Sequence, residues 1–185
     1  YSTFVADQKY PAYKLLSEVL RVPGDDSEPL DGVDLELLTC GTMLVNLSVS
    51  ISPLNAKEFV KSGAVPKLND VLSYALRVDD HVVLVNVLKA FTAVLHFDSG
   101  REATLELGTS FPDNLHKAIC LDKKCPLAAE NAIESVARGA EHADLQKAFV
   151  SAGIVWLLMP MLLSYDDTCN ADYTDETQRS IHNQN

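Results

Sequence analysis

The chain has 185 residues, 47% of them hydrophobic and 7% aromatic, with 15 Lys and Arg against 26 Asp and Glu, a formal charge of −11. That length makes one ordinary domain, able to bury about 70% of its unfolded surface, and a mean hydropathy of +0.03 supplies apolar material for a core. A pI near 4.7 argues against DNA, RNA or anionic lipid as the main partner, because those surfaces reward clustered positive charge. No apolar run reaches the ~18 residues of a membrane span.

The chain opens Tyr1-Ser2-Thr3-Phe4, without an initiator Met or a basic-then-apolar leader, and reads as an excised or processed segment. Residues 12–22 predict a helix with Leu15, Leu16, Val19 and Leu20 on one face. Residues 23–33, rich in Asp, Pro and Gly, predict an acidic loop insertion. Asp34 is placed to cap a helix running through Leu35, Leu38, Met43, Leu44 and Leu47. Cys40 lies inside that apolar pattern and reads as a buried free thiol. Asn46-Leu47-Ser48 matches a glycosylation sequon, but on a segment expected to be packed. Ser52 followed by Pro53 is a cap and a good first residue for a short helix that Gly63 stops.

The next helix, 65–78, turns Val65, Leu68, Val71, Leu72 and Ala75 inward. Asp79 or Asp80 caps a strongly apolar helix over 81–97, long enough to outweigh the strand propensity of its valines. Shorter helices are predicted at 100–107, 113–120, 127–138 and 144–151. Residues 154–165 form a helix apolar nearly all round, with Pro160 inside it. Such a helix needs cover on several sides, and Trp156 is expected to be core against a further repeat. Residues 166–185 are polar and aperiodic, and read as a disordered tail. No alternating hairpin pattern occurs, so the chain reads as all-α.

An internal repeat sets the architecture. Phe59-Val60-Lys61-Ser62-Gly63-Ala64-Val65 matches Phe149-Val150-Ser151-Ala152-Gly153-Ile154-Val155 at Phe, Val, Gly and Val, and Gly108 lies midway, giving spacings of 108 − 63 = 45 and 153 − 108 = 45. The glycine stops one helix and starts the next in the left-handed conformation. Pro11 and Pro66 head similar post-turn helices, PAYKLLSEVLRV and PKLNDVLSYALRV. A period near 45 belongs to the armadillo and HEAT class. The expectation is an armadillo/HEAT-like right-handed helical solenoid of about three to four repeats over residues 1–165.

Site chemistry is sparse. His116, Cys120 and Cys125 lack a convincing fourth ligand for zinc. No nucleophile elbow or phosphate loop occurs. A Cys and His dyad is present by count only, so a Cys/His enzyme ranks last among the readings. His81 reads as a capping or exposed residue and His96 as a hydrogen-bonded core histidine. The chain is read as non-catalytic, with no cofactor and no metal. With four cysteines, Cys40, Cys120, Cys125 and Cys169, it suits a reducing, cytosolic compartment. By analogy of fold, the post-glycine helices line the concave side. The outward positions on 65–78 are then Lys67, Asp70, Ser73, Tyr74 and Arg77. Of these, Lys67, Asp70, Tyr74 and Arg77 are the candidate partner-binding residues, an aromatic flanked by charges.

Two stretches carry a family resemblance. Leu37-Leu38-Thr39-Cys40 with Met43, then Ser50-Ile51-Ser52-Pro53-Leu54-Asn55-Ala56-Lys57-Glu58-Phe59, resembles a segment of the large endosomal DnaJ protein of the receptor-mediated endocytosis family. AGIVWLLMPMLLSYDDT, from Ala152 to Thr168, resembles that family's leucine-rich segment ending in a Tyr-Asp pair. The resemblance implies a long cytosolic protein, peripheral on endosomes, that recruits the seventy-kilodalton heat-shock chaperone and works with sorting nexins, retromer and clathrin. This stretch contains neither the His-Pro-Asp triplet of the J module nor the family's Ile-Trp-Asn signature, so chaperone stimulation is not assigned to it. The resulting expectation is a scaffold segment that binds protein, not nucleic acid, and does not insert into membrane. The alternative is an armadillo/HEAT adaptor of an unrelated family that binds an extended peptide.

Overall fold

The computed structural model describes residues 12–23 and 30–163. They form α1 (Ala12–Val19), α2 (Gly32–Val49), α3 (Pro53–Lys61), α4 (Ala64–Val78), α5 (His81–Leu95), α6 (Asp98–Leu105), α7 (Ser110–Ile119), α8 (Pro126–Gly139) and α9 (Ala143–Ser151), followed by α10 (Ile154–Leu163). No strand occurs among the described residues. The whole of the predicted tail, 166–185, and the centre of the acidic loop, 24–29, lie outside them.

Local chemistry explains the boundaries. Ser52 accepts a hydrogen bond from the Asn55 amide ahead of Pro53, and Asp80 accepts one from the Val83 amide at the start of α5. Each satisfies an amide that the first helical turn leaves unpaired. The cap of α2 is Asp31, whose carboxylate accepts from the Asp34 amide, so Asp34 is a first-turn residue rather than the cap. α1 stops at Val19, three residues short of the predicted end. Gly63, Gly108 and Gly153 have φ of 71°, 63° and 78°. All three are left-handed, as a sharp turn between short and long helices requires.

After α1 the chain runs as three triplets, α2–α3–α4, α5–α6–α7 and α8–α9–α10. Equivalent helices stack in rows: α2 on α5 on α8, α3 on α6 on α9, and α1 on α4 on α7. α1 thus occupies the place of a post-glycine helix in the third row, as the likeness of the Pro11 and Pro66 stretches predicts. Within triplets the chain turns sharply, by 116° between α5 and α6 and by 82° between α9 and α10. This is an all-α helical-repeat solenoid.

The core runs through the rows. α5 buries Val83, Leu84, Val87, Leu88 and Phe91 between its neighbours, and each fully buried large side chain contributes about 1.5–3 kcal/mol of transfer free energy. The Phe91 and Phe111 rings lie 4.5 Å apart between α5 and α7. Tyr13 meets Phe59 edge-on at 5.9 Å, joining α1 to α3. Arg101, with an 11% exposed side chain, pins the α5–α6 turn. Its guanidinium donates to the Leu95 carbonyl at 2.9 Å, Glu141 at 2.7 Å and Asp98 at 2.6 Å.

Several faces differ from the sequence expectation. Val65, Leu68, Val71, Leu72 and Ala75 are buried as predicted, but Leu15, Met43, Leu44 and Leu47 are exposed. α2 carries apolar residues on two sides, and the side bearing Leu38, Val45 and Val49 is the one that is buried. Cys40 is exposed, on the open side of the same helix. His96 follows the last residue of α5 and is exposed, its ring edge-on to Phe97 at 4.9 Å, so it is not a core histidine. Trp156 is 71% exposed, and no further repeat is among the described residues to cover it. By length and composition alone α2 is also apolar enough to cross a membrane. Counting uninterrupted apolar runs missed this, because Asp34, Glu36 and Asn46 break the run without lowering the average far enough.

Candidate interaction site

α4 and α7 lie side by side in the third row, and between them opens a groove of about 510 Å³. α4 lines it with Ser73, Leu76 and Arg77; α7 and the turn before it contribute Thr109, Ser110, Asp113, Asn114 and Lys117. Its base is a polar ladder. Asn69 donates to the Ser110 hydroxyl at 2.9 Å, and Asn114 donates to the Ser73 hydroxyl at 2.8 Å and to the Asn69 carbonyl oxygen at 3.3 Å. Ser73 in turn donates to the Asn69 backbone carbonyl at 3.1 Å. Both asparagines are only 5% exposed, so their amides are costly unless bonded, and the ladder bonds them.

Asn69 and Asn114 are one repeat period apart, each six residues after its turn glycine (69 − 63 = 6; 114 − 108 = 6). Sequence reasoning missed them, although the equal offset from Gly63 and Gly108 was there to be read. The same offset after Gly153 falls on Met159, which is 47% exposed, so the ladder is not continued in α10.

The candidate residues from sequence divide between uses. The Lys67 ammonium donates to the Ser17 carbonyl at 2.9 Å and to Glu18 at 3.1 Å, tying α4 to α1. The lysine holds the Glu18 carboxyl below the usual range. Tyr74 is not outward as predicted: it is 2% exposed, and its hydroxyl accepts from the Leu30 amide at 2.9 Å. Leu30 thus lies against α4, a contact that periodicity within one helix does not reveal. Arg77 stacks over the Tyr74 ring at 5.4 Å, donates to the Pro23 carbonyl at 3.3 Å and also lines the groove. Asp70 is exposed, and partial burial of its carboxyl raises the pKa. The four therefore do not form one open site. Lys67 and Tyr74 hold the fold, and of the four only Arg77 lines the groove.

A second cross-repeat contact joins Asp79, at the end of α4, to Lys124 in the turn before α8, again 45 residues apart. The lysine lowers the pKa of Asp79 through their hydrogen bond. His116 Nδ1 and Cys120 Sγ lie 4.0 Å apart on an exposed face. Among the described residues no three His, Cys, Asp or Glu side chains converge as metal ligands.

Rows of equivalent helices, bridged by side chains one repeat period apart, define the class: a helical-repeat protein whose surfaces span successive units. The chain is similar to DnaJ homolog subfamily C GRV2 of Arabidopsis thaliana, 30% identical over 179 residues, a match that takes in 91% of this chain and 7% of that protein. The match supports a fragment of that DnaJ homolog family, and the chain spans about 7% of the relative's length. No family model and no solved structure matches it.

Proposed function

We propose that this chain is a non-catalytic scaffold segment of an endosomal DnaJ co-chaperone, working in endocytic trafficking and in clathrin- or retromer-linked sorting on the cytoplasmic face of endosomes. Its task is to hold a partner protein in the groove between α4 and α7. One observation carries the reading. The polar side chains at the base of the groove are bonded to one another across two repeats, which makes a rigid floor rather than a set of converging reactive groups. Arg77, Lys117 and Asp113 line the groove and offer charge of both signs, the type of rim that steers and orients a partner.

The partners fitting the family resemblance are sorting-nexin, retromer or clathrin-linked proteins, with the seventy-kilodalton heat-shock chaperone recruited elsewhere in the longer protein. The test is affinity capture from cytosol with the 185-residue chain and its Arg77→Glu/Lys117→Glu variant. Recovery of sorting-nexin or retromer components by the parent chain, lost in the variant, is the expected result. Retention of those components by the variant places binding on another surface. Lys67 is left intact, because its reversal would break the α1–α4 contact and confuse folding with binding.

A further inference from the structure

α2 has an outer face that its neighbours leave uncovered. Val33, Leu37, Cys40, Leu44 and Leu47 recur at alternating spacings of four and three along it, with Ile51 four residues further on in the turn past its end, and all six are exposed, Val33 at 74% and Ile51 at 63%. That spacing is the seam by which one helix lies along another at a shallow angle. At its C-terminal end the seam opens into a groove of about 500 Å³ between α1 and α2, apolar except for Tyr13 and Ser48, with Leu15 on its rim. The inner face of α2, bearing Leu38, Val45 and Val49, is already used: it packs on α5, as α5 packs on α8.

The rows identify what is missing from this face. α1 stands in the third row beside α4, yet no described helix stands in the first row before α2. α5 shows how a first-row helix is completed, with one neighbour on each side. From this continuity we propose that the outer seam of α2 is the seat of one further first-row helix, supplied by a flanking repeat of the same longer polypeptide. This helix presents to α2 the apolar face that α2 presents to α5. The proposal is independent of the α4–α7 groove, which lies on a different row.

The test uses the 185-residue chain and a stapled helical peptide. The peptide repeats the inner face of α2, with Leu38, Thr42, Val45 and Val49 at their native spacing and Lys or Gln at its other surface positions. A peptide of the same composition in scrambled order is the control. The expected result is saturable binding by the patterned peptide, weakened at least about tenfold by Leu44→Glu/Leu47→Glu and by scrambling. Thermal unfolding of the chain should be unchanged by the substitutions, because both leucines are exposed. Absent binding, or equal binding of both peptides, overturns the proposal. So does a seam-dependent dimer of the chain that the patterned peptide does not compete away, which gives the face to a second copy. Seam-dependent attachment to phosphatidylcholine–phosphatidylserine vesicles would give it to lipid, and likewise overturns the proposal.

Discussion

α5 and α10 are both apolar nearly all round, and the fold places them in opposite surroundings. α5 is enclosed by α2 and α8, with Val87, Leu88 and Phe91 fully buried. α10 buries Ile154 but leaves Trp156, Leu162 and Leu163 at 71%, 69% and 67% exposure. An apolar pattern states that a helix favours cover; its place in a row decides whether cover is present. α2 shows both outcomes in one helix, its inner side packed and its outer side open.

The largest expected effect lies at that contrast. Phe91→Ala should destabilise the chain by about 3–5 kcal/mol, as a large-to-small change in a close-packed interior does. Trp156→Ala should stay within about 0.5 kcal/mol, as surface changes do. Urea unfolding monitored by helical circular dichroism measures both, and similar costs for the two would erase the distinction between α5 and α10.

An intermediate effect is expected in the polar ladder. Asn114→Ala leaves the Asn69 carbonyl oxygen and the Ser73 hydroxyl without their donor, which should cost about 1–3 kcal/mol. A double-mutant cycle with Asn69→Ala should give a coupling of at least about 0.5 kcal/mol. Strictly additive costs would mean that the two repeats are not joined through these side chains.

The smallest effect concerns charge. Burial raises the pKa of Asp70, so the folded chain binds this proton more readily than the unfolded chain. Its penalty is absent at pH below the ordinary carboxylate range, grows as pH rises through the raised value, and persists above it. Asp70→Asn should therefore give a slight gain in stability at neutral pH that vanishes in acid. Asp79 behaves in the opposite sense. Lys124 lowers its pKa, so its contribution is present above the ordinary carboxylate range and is lost as pH falls through the lowered value. Melting temperatures of the single variants across that range check both signs, and a gain from Asp70→Asn that persists in acid would contradict the first.

The elements themselves were largely legible in the sequence. Ser52, Pro53 and Asp80 act locally, within a turn of where they stand, and the left-handed glycines recur at a fixed period. The faces were less legible. Leu44 and Leu47 were expected inside because they are apolar, but α2 has two apolar sides and only the inner one is closed, by α5. Tyr74 was expected outside because it sits on the polar side of α4, yet it is buried and the Leu30 amide bonds its hydroxyl. Lys67 read as an outward residue, and its ammonium reaches across to α1. In each case a distant segment decided the outcome, and periodicity within one helix carries no record of it. Asn69 and Asn114 are different: their offset from the turn glycines was visible, and buried polar residues simply do not stand out in an apolar count.

Stability should be concentrated where rows are closed on both sides and fall toward the open ends. Amide hydrogen exchange followed along the whole chain tests this most directly, because protection reports local opening free energy segment by segment. Protection should be highest in α5, with α4, α7 and α8 next, and lowest in α1 and α10. Protection in α10 equal to or above that of α5 would contradict the account.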